Sequence, residues 1–188
     1  MRASLTVCVL ALLSACVSSR PDHFYLLSAS PPGAGESRPA SGGMPATLKV
    51  ILPSWADRSE MLLNTSAGEV IVLEHERWAA PLPDLVRQTL GVDIERRRAD
   101  VTVADRGLNG SKGASFDIAV EVVQMTMHRG ERTRIEARWR IHDSRTGTDV
   151  YGGGEFTAPL ANDGYGSVAQ ALSDCLGQLA DRLVQQVP

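Results

Sequence analysis

Phe116-Asp117-Ile118-Ala119-Val120-Glu121-Val122-Val123-Gln124-Met125-Thr126-Met127 and, six residues on, Arg134-Ile135-Glu136-Ala137-Arg138-Trp139-Arg140-Ile141-His142 decide the fold. In the second stretch Ile135, Ala137, Trp139 and Ile141 share one face, while Arg134, Glu136, Arg138, Arg140 and His142 share the other. That period-2 alternation marks a half-buried strand. The first stretch is its expected antiparallel partner. Phe116, Ile118, Val120 and Val122 alternate there, and then Val123, Met125 and Met127 take over with the parity shifted. A parity change inside one strand predicts a β-bulge. A third strand, Val150 to Leu160, is expected to be broken at Gly152-Gly153-Gly154.

Downstream, Val168, Leu172, Cys175, Leu176, Leu179 and Leu183 make an apolar helical stripe against Asp174, Gln178, Asp181, Arg182 and Gln185. Upstream, Trp78, Leu82, Leu85, Val86 and Leu90 suggest a second helix. Pro81 and Pro83 fit only in its first turn, which places the N-cap near Ala80. Met61-Leu62-Leu63 and Glu69 to Leu73 flank a Gly-containing turn and predict a hairpin. Short strands are also expected at His23 to Leu27 and at Leu48 to Leu52. Strand runs separated by two helices predict an α+β single domain, a mostly antiparallel sheet with both main helices packed on one face.

The N-terminus sets the setting. Met1-Arg2 is followed by an apolar run from Leu5 to Leu13, too short to span a bilayer but of signal-peptide length. Leu13-Ser14-Ala15-Cys16 resembles the bacterial lipobox, whose cysteine is acylated before cleavage. Residues 1–15 are then a lipoprotein signal peptide, and the mature chain of 173 residues starts at Cys16 with a charge of −4. Residues 16–22 form a lipidated tether, its six residues after Cys16 reaching at most about 20 Å. Residues 23–188 form the domain, with 30–45, rich in Pro, Gly and Ser, as a flexible loop. Val17, rather than Asp, follows the anchor, which points to the outer membrane and its periplasmic face. Cys175 is left as the sole free thiol, a small buried hydrophobe.

Composition gives little chemistry. With 43% hydrophobic and 22% charged residues and a net charge of −3, the chain has no basic footprint for nucleic acid. Leu73-Glu74-His75-Glu76-Arg77-Trp78-Ala79 lacks the second histidine of a zinc helix, and no phosphate-binding loop or nucleophile elbow occurs. No catalytic residue, metal ligand or cofactor site is assigned. Gly164-Tyr165-Gly166-Ser167 reads as a loop and helix cap. Arg96-Arg97-Arg98 and the arginines of 129–140 read as a solvated face paired with Glu95, Glu131 and Glu136. Trp78 and Trp139 lie on apolar faces and are assigned to the core. Trp55 follows Pro53-Ser54 in a loop and, with Asp57 and Arg58, is the candidate partner contact.

Four segments together resemble one family: Tyr25-Leu26-Leu27 after the lipobox, Leu52-Pro53 with Asp57-Arg58, Arg77-Trp78-Ala79-Ala80-Pro81-Leu82, and Glu136-Ala137-Arg138-Trp139-Arg140. In this order and spacing the chain is similar to the ABC-type transport auxiliary lipoproteins, the PqiC/YmbA-like group. The resemblance implies a non-enzymatic, oligomeric outer-membrane lipoprotein serving an MCE-type intermembrane lipid transport system, with an MCE-domain protein as partner. The alternative of another class is an outer-membrane assembly or lipid-chaperone lipoprotein that holds a hydrophobic ligand itself.

Overall fold

The computed structural model describes residues 20–31, 43–65, 68–104 and 113–187. Its elements are β1 (His23–Tyr25), β2 (Met44–Ile51), β3 (Glu60–Asn64), β4 (Val70–Trp78), α1 (Leu82–Arg97), β5 (Val101–Val103), β6 (Phe116–Met127), β7 (Arg132–Asp143), β8 (Thr148–Pro159) and α2 (Tyr165–Val184). The chain is an α+β domain, as the alternation and the two apolar stripes predict. Its strands divide into a five-stranded sheet, β5-β2-β6-β7-β8, and a three-stranded one, β1-β4-β3.

In the larger sheet β6, β7 and β8 form an antiparallel meander, and β2 joins β6 and β5 in parallel. Both helices cover one face, α2 against β7 and β8 and α1 against β2 and β5. That face is the one the alternation marks. Ile135, Ala137, Trp139 and Ile141 are buried against Phe116, Ile118, Val120, Val122, Met125 and Met127. Each large apolar side chain so removed from water contributes about 1.5–3 kcal/mol. The bulge is present too: Val122 pairs with Ala137 and Gln124 with Glu136, leaving Val123 unpaired and exposed.

Two sequence expectations need correction. β8 is not broken at Gly152–Gly154 but runs unbroken for twelve residues. A Cβ at Gly152 would lie 2.4 Å from the Trp139 indole, so the missing side chain makes room for the ring while the strand continues. Trp78 is not helical; it ends β4, opposite Tyr25, with its N–H donating to Ser59 O at 2.7 Å. The helix starts at Leu82, with Pro81 at the N-cap rather than Ala80 and Pro83 in the first turn.

α1 also runs on to Arg97, past the apolar pattern. Gly91 and Asp93 interrupt the stripe, yet both are buried. β5 is only three residues long and leaves no periodic signal. Within the expected loop 30–45, Met44 and Pro45 already belong to β2. Ser30 is buried and its hydroxyl donates to Ser173 O at 3.2 Å. Residues 32–42, the rest of that loop, and residues 1–19, with the signal peptide, Cys16 and most of the tether, lie outside the described residues.

Candidate functional site

The three residues singled out as a contact come together on one turn. Ser54–Ala56 forms a single 3-10 turn after Pro53. Ala56 N–H donates to Pro53 O at 2.9 Å, and Arg58 N–H donates to Ala56 O at 2.9 Å. Ala56 is 2% exposed and plugs the turn into the core, which holds Trp55 outward at 41% exposure. Asp57 and Arg58 follow in solvent, and among the described residues no ion pair joins them. Arg58 instead adds charge near Glu60. That carboxyl is held below its ordinary range first by a backbone N–H, then by the Ser59 hydroxyl, with Arg77 and Arg58 assisting. Ile51, the last residue of β2, pairs with Glu121 two positions before the bulge residue Val123, and both apolar side chains are exposed.

The other arginines play a structural part that differs from the solvated face expected of them. Arg97 is buried, with its side chain 6% exposed; it donates to Asp93 at 2.8 Å and to Asp181 of α2 at 2.5 Å. Arg98 pairs with Asp100 at 2.7 Å and donates to the Val187 carbonyl at 2.9 Å. Arg96 donates to Ala29 O at 3.1 Å. The end of α1 is thereby fastened to α2 and to the segment after β1. Glu95 accepts the Val103 N–H instead. Burial pushes the Asp93 carboxyl up to about 6, against the opposing pull of Arg97 and the Ser30 backbone N–H. The i, i+4 spacing of Asp93 and Arg97 was the available signal for this pair.

Across the outer face of the large sheet, Arg134 pairs with Glu155, Arg138 with Glu121, and Arg140 with Asp149. These partners come from adjacent strands and not from Glu131 or Glu136, which the sequence order suggests. Cross-strand pairing at the surface is worth little per bridge and sets register more than stability.

Three histidines each meet one carboxylate: His23 with Glu76 at 3.1 Å, His75 with Asp22 at 2.9 Å, and His142 with Asp149 at 3.0 Å. Glu76 also accepts the Tyr25 hydroxyl at 2.6 Å. Burial and that carboxylate push Tyr25 up to about 12. Among the described residues no group of three or more His, Cys, Asp or Glu is placed to hold a metal. Trp78 and Trp139 are core, 3% and 4% exposed, and the Trp139 indole N–H donates to Gln186 at 2.8 Å. Cys175 is buried on α2, and burial pushes its thiol up to about 12. Of Gly164-Tyr165-Gly166-Ser167, Gly164 is the N-cap of α2 and the other three residues form its first turn; the Asn162 side chain accepts from Gly164 N–H and Ser167 Oγ, both at 2.8 Å.

Concavities at the surface are open grooves. One of about 420 Å³ lies between Leu63, Ile71 and Leu73 of the small sheet and Arg129 and Tyr165. A second, of about 320 Å³, runs between α1 and Val103. Neither enters the space between helices and sheet, which is filled by side chains such as Phe116, Ile118, Leu172 and Leu176 at under 2% exposure. Among the described residues no helix is long and apolar enough to cross a membrane.

A family model for the ABC-type transport auxiliary lipoprotein component matches residues 25–184, nearly all of the folded body. No curated protein matches the chain. Among solved structures, one of an uncharacterized protein superimposes with a TM-score of 0.73 at 16% identity, covering 90% of this chain and 100% of that chain. Another, XCC0632 from Xanthomonas campestris, gives 0.67 at 16% identity, covering 86% of this chain and 92% of that chain. At such identity these two show a shared fold.

Proposed function

Since the chain belongs to the ABC-type transport auxiliary lipoprotein family, we propose that it is a non-enzymatic outer-membrane lipoprotein that docks an MCE/Pqi-type intermembrane lipid transport system. The family match over 25–184 carries this reading. In it, Cys16 is the acylated residue that fixes the domain to the periplasmic face of the outer membrane. Two or three acyl chains anchor stably where one does not, since each buried methylene contributes about 0.8 kcal/mol. The exposed turn with Trp55, Asp57 and Arg58 is the contact for an MCE-domain protein, and an aromatic held outward by a buried neighbour suits an interface anchor. A homo-oligomer presents several such turns at once. Its energy source, where one is needed, is another subunit.

Two measurements test this. Cys16→Ala leaves an unprocessed precursor without acyl chains, read by intact mass; normal processing of that variant would refute the anchor. Deleting this gene, the MCE-protein gene, or both, and scoring detergent sensitivity, tests the pathway. A double deletion no worse than the stronger single deletion is expected. Additive defects would favour the alternative, a lipoprotein that carries a hydrophobic ligand itself.

A further inference from the structure

β1 follows the proposed anchor closely, and one apolar side chain within it and one just after it are exposed. Phe24 and Leu26 are each 63% exposed, while their neighbours Tyr25 and Leu27 turn inward to the core. The alternation of β1, continued by the exposure of Leu26 just past its end, leaves Phe24 and Leu26 together in solvent. The rim of this pair is polar and internally neutralised. Arg77, opposite Phe24 in the register, pairs with Glu60 at 2.9 Å and lies 4.0 Å from Asp22, which also meets His75.

We propose that Phe24 and Leu26 are a second membrane contact, seated in the headgroup and upper acyl region of the bilayer that holds Cys16. The chain length outside the described residues selects this occupant. Cys16 is eight residues before Phe24, a reach of at most about 29 Å when fully extended, so the pair is held beside the lipid surface. Tyr151, exposed at 70% on the outer face of the large sheet, has no such tether and serves as a reference. Because acyl chains already hold the protein on the membrane, the pair orients the domain instead of retaining it. This inference rests on the proposed acylation of Cys16.

Benzoylphenylalanine placed at position 24, 26 or 151 of the full-length lipoprotein, irradiated in intact envelopes, tests it by mass. Intact mass first establishes whether Cys16 carries acyl chains, so loss of the anchor is read separately from loss of the contact. With the anchor present, phospholipid adducts at 24 and 26 should exceed those at 151 by at least about fivefold. Equal adducts at all three positions would overturn the proposal. So would adducts at 24 and 26 with a second copy or another protein, which would make this side a protein interface. A chain without acylation that still gives lipid adducts at 24 and 26 would support the contact while refuting the anchor.

Discussion

The five-stranded sheet packs one face under α1 and α2, whereas the three-stranded sheet leaves Phe24 and the run Val70–Val72 in solvent. Both are built from strands of ordinary β-rich sequence, and what separates them is cover. The larger sheet turns most of its apolar residues to the helices, leaving Ile51, Val123 and Tyr151 exposed, and presents cross-strand ion pairs outward. The smaller one buries Trp78, Glu76, Met61, Leu62 and Leu63, with Tyr25 and Leu73 partly buried against the core. Stability therefore resides mainly in the covered sheet, and the contacts proposed for membrane and partner lie at the small sheet and the turn before it. This division suits the proposed docking role.

The largest expected effect lies where the two regions meet. Trp78→Ala should cost about 3–5 kcal/mol in urea unfolding, because the indole joins the small sheet to the core. A loss under 1 kcal/mol by the scale of surface substitutions would mean the small sheet is a loosely held appendage. Next comes Gly152→Val, which forces a side chain into the Trp139 ring on the covered face and should cost about 3 kcal/mol. Tolerance there would show that the covered face can yield at its edge.

A pH-dependent effect follows from Asp93, buried on α1 against the segment at Ser30. Its carboxyl sits at about 6 when folded, above the ordinary value of 3.8, so its ionisation opposes folding. That cost is absent below about pH 4 and fully present above about pH 6, a swing of about 3 kcal/mol. The stability of Asp93→Asn relative to the parent should therefore shift in the variant's favour as pH rises across this window. A difference independent of pH would mean that Arg97 keeps Asp93 ionised throughout.

The smallest effect on stability is expected at the exposed turn. Trp55→Ala should change unfolding by no more than about 0.5 kcal/mol, as surface positions do, while weakening partner capture. A large loss of stability would move Trp55 from the contact side to the core side of the comparison.

The covered sheet was legible in the sequence because burial on one face imposes strict alternation, so Phe116–Met127, its bulge and Arg134–His142 could be read directly. α2 was legible for the same reason at helical spacing. Legibility failed where a second interaction overrode the local pattern. Gly152–Gly154 reads as a break until the Trp139 ring is placed over it. Trp78 reads as part of the helical stripe because its strand partners, Ser59 and Tyr25, are remote in sequence. Arg97 reads as solvated because Asp181 is 84 residues away. Of the candidate contact, the exposure of Trp55 could be inferred from Pro53-Ser54, but the plug made by Ala56 could not.

The most direct test is to purify the full-length lipoprotein from detergent-solubilised envelopes, with Trp55→Ala beside it. An MCE-domain protein should co-purify with the parent and be reduced in the variant by about tenfold, the scale of losing 1.4 kcal/mol of binding. Recovery of the lipoprotein without any MCE-domain protein, carrying phospholipid in stoichiometric amount, would contradict docking and establish a lipid carrier in its place.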